Sequence, residues 1–493
     1  MSNKSFYITT TLPYVNASPH IGFAMEIVAA DILARYHREL GKDVVFNTGT
    51  DEHGQKIYDK AIENKITPQE YVDEYAAKFD DLKKLLNLSY SHFIRTTDEH
   101  HIKAAQAFWL KCFENGDIYK KDYSVKYCVG CELEKTDSEL EDGKCPLHAN
   151  RELEIREEEN YFFKFSNYED ALLKLYTDNP EFVKPAGKLK EIKSFVKNGL
   201  QDFSISRLKE KMPGGVPVPN DEDHVMYVWF DALTNYISTL GWPENSENFE
   251  KYWVEAGCVQ IAGKDNLRQQ SAMWQAMLMS AGVQPSKQIL INGFINVDGQ
   301  KMSKSIGNVI SPSDMVDRYG IDGSRYLLTA IGPVGGDIDV TWERFDEMYT
   351  SALSNRLGNL VSRVAKLCER SGLSFGNSNM EHGTSRRHSE LDSESKTTQK
   401  YQSSKVEEYD LSGALEEIFE QVKAADAYID ETTPWKVEDE AELEKILTKL
   451  VGEIRSISLQ LQPFLPESAE TISEHFGHEK ISAIEPLFPR LKK

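Results

Sequence analysis

The chain has 493 residues, too many for one hydrophobic core, so two to four domains are expected. Its 40% hydrophobic and 28% charged residues are typical of a soluble, multi-domain enzyme, and a net charge of −22 disfavours a protein that coats nucleic acid unspecifically. The N-terminus lacks a signal-peptide pattern, and no apolar run is long enough to span a membrane, so we expect a cytoplasmic protein without a membrane partner.

The first predicted elements form a strand–helix–strand unit. Residues 6–11 and 44–48 are predicted strands, and apolar positions recur at helical spacing from residue 21 until Gly41. This order indicates a parallel doubly wound sheet, whose ligands bind beyond the carboxyl ends of the strands. His20 and Gly22 lie there, at a helix start that favours anions. Asp51 follows the second strand, although a lone His or Asp at such a place is more often a helix cap.

Residues 55–117 are predicted to be helical, and a cysteine-containing segment follows them. It holds two knuckle-like pairs, Cys128-x-x-Cys131 and Cys145-x-x-His148, with thirteen residues between the pairs. Three thiolates and one imidazole make a closed tetrahedral shell suited to zinc, without an open position for substrate. We therefore predict one structural Zn²⁺ per chain. The other cysteines are predicted to be ordinary buried thiols: Cys112, Cys258 and Cys368.

The sheet is predicted to resume after the cysteine segment. Strands are expected at 225–230, 258–262 and 289–297, with helices at 232–240 and 271–281 between them. The metal-binding segment would thus be inserted between two halves of one sheet. Periodicity alone leaves open whether Trp229 and Tyr236 belong to the core or to a binding site.

A loop with two lysines follows the last of these strands. After an Asp298-Gly299 turn, Lys301 and Lys304 stand three residues apart in the sequence KMSKS. Such a loop makes a movable cationic clamp, and polyphosphate is its usual ligand. For an isolated K-x-x-K, a solvated surface loop would be the better interpretation, so the hypothesis depends on the rest of the chain.

From about residue 350 the chain is predicted to be helical to its end. An apolar stripe runs from 353 to 367, and two further helices are expected at 414–428 and 441–461, separated by Thr433-Pro434-Trp435. Residues 376–405 lack apolar periodicity and are predicted to be a disordered connector.

These motifs together resemble a known family. PHIGF after the first strand and KMSKS after the last resemble the two signature sequences of class I aminoacyl-tRNA synthetases. Within that class, TLPYVNASPHIG, NTGTDEHG, YVWFDAL, the Cys/His pairs and KMSKSIGNV resemble the methionyl-tRNA synthetases, and the resemblance covers residues 8 to about 466. The valyl, isoleucyl and leucyl enzymes share both signatures, but they carry a larger editing insertion than residues 118–224 could hold.

The resemblance implies an α/β fold: a Rossmann-like doubly wound parallel sheet, split by a zinc-bearing connective insertion and followed by an α-helical bundle that binds the anticodon. The implied divisions are 1–117 and 225–310 for the halves of the catalytic domain, 118–224 for the insertion, 311–349 for a stem-contact linker and 350–493 for the anticodon-binding domain. A monomer is expected.

The reaction that the resemblance implies uses L-methionine and ATP with Mg²⁺ to form methionyl-adenylate and pyrophosphate. Methionine then passes to the 3′ end of tRNA(Met), initiator tRNA included. The matching catalytic positions are His20, Lys301 and Lys304. The matching ATP positions are Gly22, Phe23, Gly263, Asp265 and Lys304. Of these, Gly22 leaves room for the adenine, Asp265 contacts the ribose, and the lysines hold the departing pyrophosphate.

For methionine, the matching positions are Leu12, Tyr14, Asp51, Trp229, Ala232, Tyr236 and Gln270. Asp51 would pair with the substrate ammonium, while a neutral thioether must be selected by shape and by sulfur–aromatic contact. In the helical domain Asn359, Arg363 and Trp435 match positions that read the CAU anticodon by hydrogen bonds and stacking.

The chain departs from the family pattern at three positions. Phe23 stands where the first signature usually has His, Gln270 where many members have His, and Leu233 where Pro is common. Three alternatives stay open at this point: another class I synthetase, a non-catalytic tRNA-binding paralogue, which Phe23 alone favours, and a zinc-knuckle nucleic-acid adaptor, which leaves both signatures unexplained.

Overall fold

The structure, a computed structural model, describes residues 4–131, 133–135, 140–244, 246–302, 307–331, 336–376 and 403–491. Its strands are β1 Ser5–Thr9, β2 Asp43–Thr50, β3 His92–Arg95, β4 Ile118–Cys128, β5 Leu133–Lys135, β6 Glu154–Phe163, β7 Val183–Lys184, β8 Phe203–Ser204, β9 Ser206–Leu208, β10 His224–Met226, β11 Cys258–Gly263, β12 Gln288–Asn292, β13 Ile295–Val297, β14 Gln300–Lys301 and β15 Ile338–Val340.

The helices, in chain order, are α1 Ile21–Glu39, α2 Gln55–Asn64, α3 Pro68–Asp80, α4 Leu82–Leu85, α5 Glu99–Glu114, α6 Glu169–Asp178, α7 Ala186–Lys197, α8 Val228–Ala232, α9 Asn235–Ser238, α10 Ser246–Asn248, α11 Trp274–Ser280, α12 Pro312–Ala330, α13 Trp342–Met348, α14 Asn359–Ser371, α15 Ser404–Glu407, α16 Leu411–Thr432, α17 Glu440–Leu461 and α18 Pro466–Gly477. Within the described ranges, no helix combines the length and apolarity needed to cross a membrane.

The main sheet has the strand order β3-β2-β1-β11-β12-β7, and all its neighbouring strands are parallel. The predicted split, doubly wound parallel sheet is therefore confirmed, since β1 to β3 precede the inserted segment and β11 and β12 follow it. Two strands of this main sheet were not predicted. β3 lies in the stretch expected to be helical, and β7 comes from the insertion and completes the far edge.

The inserted segment has its own antiparallel sheet, with the order β5-β4-β6-β8. Its β4 and β6 pair over most of their length, from Ile118 with Phe163 to Tyr127 with Glu154. This long hairpin leaves the main sheet and carries the cysteine pairs at its far end.

Two predicted strands have different boundaries in the structure. The strand expected at 225–230 ends at Met226, because the following residues are helical; a short apolar run fits a buried helix as well as a buried strand. The strand expected at 289–297 is broken between β12, in the main sheet, and β13, in a small sheet with β14 and β15. At the break the Gly293 backbone packs so closely on Gly336 that an added Cβ would lie 1.8 Å from its carbonyl oxygen.

The C-terminal helices confirm the predicted helical region. Helix α16 extends a few residues beyond the predicted 414–428 at both ends, and α17 matches the predicted 441–461 to within one residue. The apolar stripe at 353–367 lies on the continuous helical run from α13 to α14. Most of the predicted connector lies outside the described residues, but its last residues are ordered, since Ser403 caps α15. One apolar core joins α1 and α12 to these helices.

Candidate functional site

A cavity of about 480 Å³ opens beyond the carboxyl ends of the central strands, where a doubly wound sheet binds its ligands. It brings together every described residue that was predicted for ATP or methionine: Leu12, Tyr14, His20, Gly22, Phe23, Asp51, Trp229, Ala232, Tyr236, Gly263, Asp265, Gln270 and Lys301. These residues come from both halves of the sheet and from the segment α8–α9. Lys304 lies outside the described residues.

His20 is the N-cap of α1, and its ring also faces the cavity mouth. Its Nδ1 accepts a hydrogen bond from the Gly22 N–H at 3.0 Å, so a neutral ring carries its proton on Nε2. His20 is exposed at the cavity mouth, so an anion can approach its ring from solvent. The cap and the predicted phosphate contact are thus compatible roles of one side chain.

Phe23, the departure from the first signature, has an aromatic partner. Its ring packs edge-on against Phe79 of α3 with 5.6 Å between the ring centroids, and both rings line the cavity. Phe at this position packs against Phe79 without burying a polar atom. The usual His would pack less favourably here, because burying an imidazole nitrogen without a hydrogen-bond partner costs free energy.

The start of the lysine loop lies against the first signature. Met302 Cε lies 3.8 Å from where a Cβ on Gly22 would stand, and the Ile21 N–H donates to the Ile310 carbonyl just after the loop. Lys301 Nζ stands 4.6 Å from the centre of the Phe294 ring, which Lys264 approaches from 4.2 Å. The two signatures therefore meet at one mouth of the cavity.

The part of the cavity wall that was predicted for the amino acid contains Asp51 and Tyr236. The loop carrying Tyr14 pairs with the end of β2, where Val15 N donates to Asp51 O and Asp51 N donates to Pro13 O. Gln270 Nε2 donates to the Tyr236 hydroxyl at 2.7 Å, and Gln260 Nε2 donates to Gln270 Oε1. Burial raises the pKa of Tyr236, which keeps the hydroxyl neutral. Gln270 thus holds this tyrosine with a donor that does not titrate.

Sequence reasoning missed Glu26 and Asn292, which also line the cavity. Glu26 Oε1 accepts hydrogen bonds from Thr11 N and Thr11 Oγ1, and burial together with the nearby Asp265 raises its pKa to about 8. Asn292 is the last residue of β12, and its buried Nδ2 has no hydrogen-bond partner among the described residues. The helical period of α1 gave no sign that Glu26 is buried, whereas a polar residue ending a central strand could have marked Asn292.

The cysteine pairs converge as predicted. The ligand atoms of Cys128, Cys131, Cys145 and His148 all lie within 4.8 Å of one another. Cys131 Sγ is 3.4 Å from Cys145 Sγ and 3.2 Å from His148 Nδ1, close to the edges of about 3.5–3.8 Å of a tetrahedron with zinc bond lengths. The donor set and its geometry fit Zn²⁺. Lys56 Nζ donates to the Gly130 carbonyl, which ties this cluster to α2 beside the cavity.

The predicted anticodon residues lie on the helical region, far along the chain from the cavity residues. Asn359 begins α14 and is exposed, and Arg363 follows one turn later. Arg363 pairs with Asp426 and Asp430 of α16, at 3.5 and 2.8 Å. Trp435, just beyond the end of α16, is 53% exposed. These ion pairs hold the Arg363 guanidinium against the last turns of α16, which ends three residues before Trp435.

Comparison with known proteins identifies the family. A family model described as tRNA synthetases class I (M) matches residues 6–154 and 134–365. The methionine–tRNA ligase of Caldanaerobacter subterraneus is 42% identical over 96% of this chain and 74% of its own length, and that of Streptomyces coelicolor is 40% identical over 97% and 90%. The solved structure of Mycobacterium tuberculosis methionyl-tRNA synthetase in complex with methionyl-adenylate superposes with a TM-score of 0.88, at 32% identity, covering 99% of this chain and 100% of that one. The chain belongs to the methionyl-tRNA synthetases of class I.

Proposed function

We propose that this chain is a methionine–tRNA ligase, which activates L-methionine with ATP and transfers it to the 3′ end of tRNA(Met). The observation that carries the proposal is the single cavity that both signature segments and the aromatic amino-acid pocket line together. The mycobacterial relative, solved with methionyl-adenylate, supports the same ligand for this cavity.

In the first step a carboxylate oxygen of methionine attacks the α-phosphorus of ATP in line. The bond from that phosphorus to the bridging oxygen breaks, and its electron pair leaves with pyrophosphate, so the enzyme supplies position and charge rather than a nucleophile. His20 would donate its Nε2 proton to the phosphates, and Lys301 and Lys304 would follow the charge as it moves onto pyrophosphate. ATP enters as its Mg²⁺ complex.

The nucleotide would lie across the carboxyl ends of β1 and β11. Gly22 and Phe23 at the start of α1 would border the adenine, while Gly263 and the exposed Asp265 would contact the ribose. Glu26, uncharged over most of the neutral range because of its raised pKa, would avoid adding a further negative charge beside the nucleotide.

For the amino acid, Asp51 would hold the ammonium, and Leu12, Tyr14, Trp229, Ala232, Tyr236 and Gln270 would surround the side chain. Shape-based selection separates substrates by only about 1–3 kcal/mol per methylene, so homocysteine should be activated at a reduced rate. Leu233 is buried and also lines the cavity.

For the second step, the anticodon would be read by Asn359, Arg363 and Trp435. The exposed indole of Trp435 offers a stacking face to an unpaired base, and Arg363 would exchange part of its pairing with Asp430 for a base edge. Zn²⁺, when bound by Cys128, Cys131, Cys145 and His148, would stabilise the tip of the β4–β6 hairpin. A monomer in the cytoplasm, where tRNA and ATP are available, completes the proposal.

ATP–pyrophosphate exchange tests the proposal directly. We expect exchange with methionine, and not with isoleucine or valine. In Lys304→Ala, kcat should fall by about 10²-fold or more, as for the loss of one preorganised charge contact, with little change in methionine binding. Exchange with isoleucine or valine alone would indicate another class I synthetase, and tRNA binding without any exchange would indicate the non-catalytic paralogue.

A further inference from the structure

A buried carboxylate bridges two histidines directly behind the amino-acid end of the cavity. Asp231 of α8 is fully buried; its Oδ2 lies 2.7 Å from His53 Nδ1 and its Oδ1 lies 2.9 Å from His101 Nε2. The other nitrogen of His101 lies 2.9 Å from the Ser238 hydroxyl. We call Asp231, His53 and His101 the Asp231 clamp. It joins the loop after β2, helix α8 and helix α5.

The hydrogen-bond inventory determines where the protons lie. A carboxylate only accepts, so His53 Nδ1 and His101 Nε2 must both donate to Asp231, and Ser238 can then donate to His101 Nδ1. A buried anion requires a countercharge. Burial opposes a charged His53, but the Asp231 carboxylate more than offsets this, and the pKa of His53 lies above its usual value.

Few other charges surround the clamp. Glu52, on the same loop as His53, also favours the imidazolium, but Arg95 of β3 binds both Glu52 oxygens, at 2.6 and 2.9 Å. From α8 the facing charged group is Asp231, and from α5 the facing polar group is the His101 ring. Asp231 is thus the group that most favours the protonated form of His53 and raises its pKa.

The clamp connects the two ends of the amino-acid pocket. His53 lies two residues after Asp51, and Asp231 stands between Trp229 and Ala232 on the short helix α8; all three neighbours line the cavity. A second buried hydrogen bond, from Asn47 Nδ2 to Asn235 Oδ1 at 3.1 Å, joins β2 to α9 beside it. The spacing between the carboxylate of Asp51 and the Trp229–Ala232 wall therefore depends on these contacts.

We propose that His53, Asp231 and His101 are positioning residues that set the distance between the ammonium site and the thioether pocket, and that the clamp loosens when His53 loses its proton. The inference rests on the proposed function, because it assigns Asp51 and Trp229 to methionine. Its consequence is selective: loss of the His53 proton should weaken the binding of methionine and should not weaken that of ATP, at the other end of the cavity.

The test compares the KM for methionine with the KM for ATP in pyrophosphate exchange from pH 6.0 to 8.0, where the ammonium group of free methionine stays largely protonated. In the wild-type chain, the KM for methionine should rise about tenfold through one ionisation, because neutral His53 keeps its Nδ1–H bond to Asp231 but no longer supplies the positive charge that strengthens it. His53→Gln, which is neutral at every pH, should raise the KM for methionine at pH 6.5 and remove this dependence. His101→Gln should raise that KM while retaining the ionisation. At each pH the KM for ATP should differ less than twofold between the wild-type chain and each variant.

His92→Gln is the matched control, since His92 lies on β3 outside the clamp, and it should keep the wild-type profile. A His53→Gln profile that still shows the wild-type ionisation would overturn the proposal, as would equal changes in both KM values. Absence of methionine-dependent exchange in the wild-type chain would instead refute the proposed function. Methionine-induced thermal shifts of wild-type and His53→Gln at pH 6.0 and 8.0 provide the same comparison without turnover.

Discussion

Replacing Arg325 with methionine should strongly destabilise the chain, because this guanidinium joins three distant segments. Arg325 of α12 is fully buried, and its Nη1 lies 2.8 Å from Asp31 Oδ2 of α1. It also donates to the carbonyls of Leu86, Pro463 and Phe464, at 2.9 to 3.0 Å. Leu86 lies between α4 and β3, and Pro463 and Phe464 lie in the turn between α17 and α18.

The expected loss follows from what stays behind. Methionine fills a similar volume but donates no hydrogen bonds, so three buried carbonyls lose a charged donor. Asp31 keeps Arg35 Nε at 2.7 Å and the Ser89 amide and hydroxyl, each at 2.6 Å, which limits the cost of leaving it charged. Breaking one side of a buried ion pair costs about 3–5 kcal/mol, and we expect Arg325→Met to fall in this range.

Urea unfolding followed by tryptophan fluorescence and by circular dichroism measures this loss, and agreement of the two probes checks that the transition is two-state. Arg318→Met is the matched control on the same helix. Arg318 pairs with Asp346, but its side chain is 44% exposed, so we expect a loss of less than about 1 kcal/mol. Equal losses for the two variants would refute the reasoning that burial decides the magnitude.

Three further predictions address other parts of the chain. Burial raises the pKa of Glu26 from 4.5 to about 8, so the stabilisation that comes from protonated Glu26 is present below pH 4.5 and is lost as the pH rises through 8. Glu26→Gln should therefore raise the melting temperature relative to wild type more at pH 9 than at pH 6. Gly130→Ala would place a Cβ 2.3 Å from the His148 ring, and elemental analysis should find less than one zinc per chain, whereas Gly214→Ala, with open space around it, should retain zinc. Trp435→Ala should change the free energy of unfolding by less than about 0.5 kcal/mol, lower kcat/KM for tRNA about tenfold or more, and leave pyrophosphate exchange unchanged.

The parts of the fold that the sequence predicts well are those with a clear period or a fixed spacing. Such signals predict helix α1, strands β1, β2 and β11 and the convergence of the four Cys and His residues that fit Zn²⁺. The boundaries at 225–230 and 289–297 were wrong for physical reasons. An all-apolar run has no period to separate strand from helix, and the Gly293 break depends on a backbone more than forty residues away in the chain.

The cavity could be predicted only in part, because burial and charge at its wall depend on tertiary contacts. The family resemblance and the sheet topology together predicted one binding site for ATP and methionine, and the described residues predicted for it do line one cavity. Glu26 was missed, since an acidic residue on an amphipathic helix is ordinarily solvent-exposed, and only the Thr11 hydrogen bonds reveal that it faces inward. The same holds for Asp231, whose buried state depends on two histidines 130 and 178 residues earlier in the chain.

Buried polar contacts occur where this chain must fix one segment against another. An apolar interface tolerates small shifts at modest cost, whereas a buried ion pair loses most of its stabilisation when its hydrogen bonds lengthen. In-line attack at phosphorus requires the methionine carboxylate and the α-phosphate to be held within a fraction of an ångström. Asp231 belongs to the short helix α8, whose Trp229 and Ala232 line the cavity, and Asp31, which pairs with Arg325, belongs to the helix that His20 caps. In the proposed function the first segment binds methionine and the second binds ATP. Weakening either contact should therefore reduce adenylate formation more than an equal loss of stability in the apolar core.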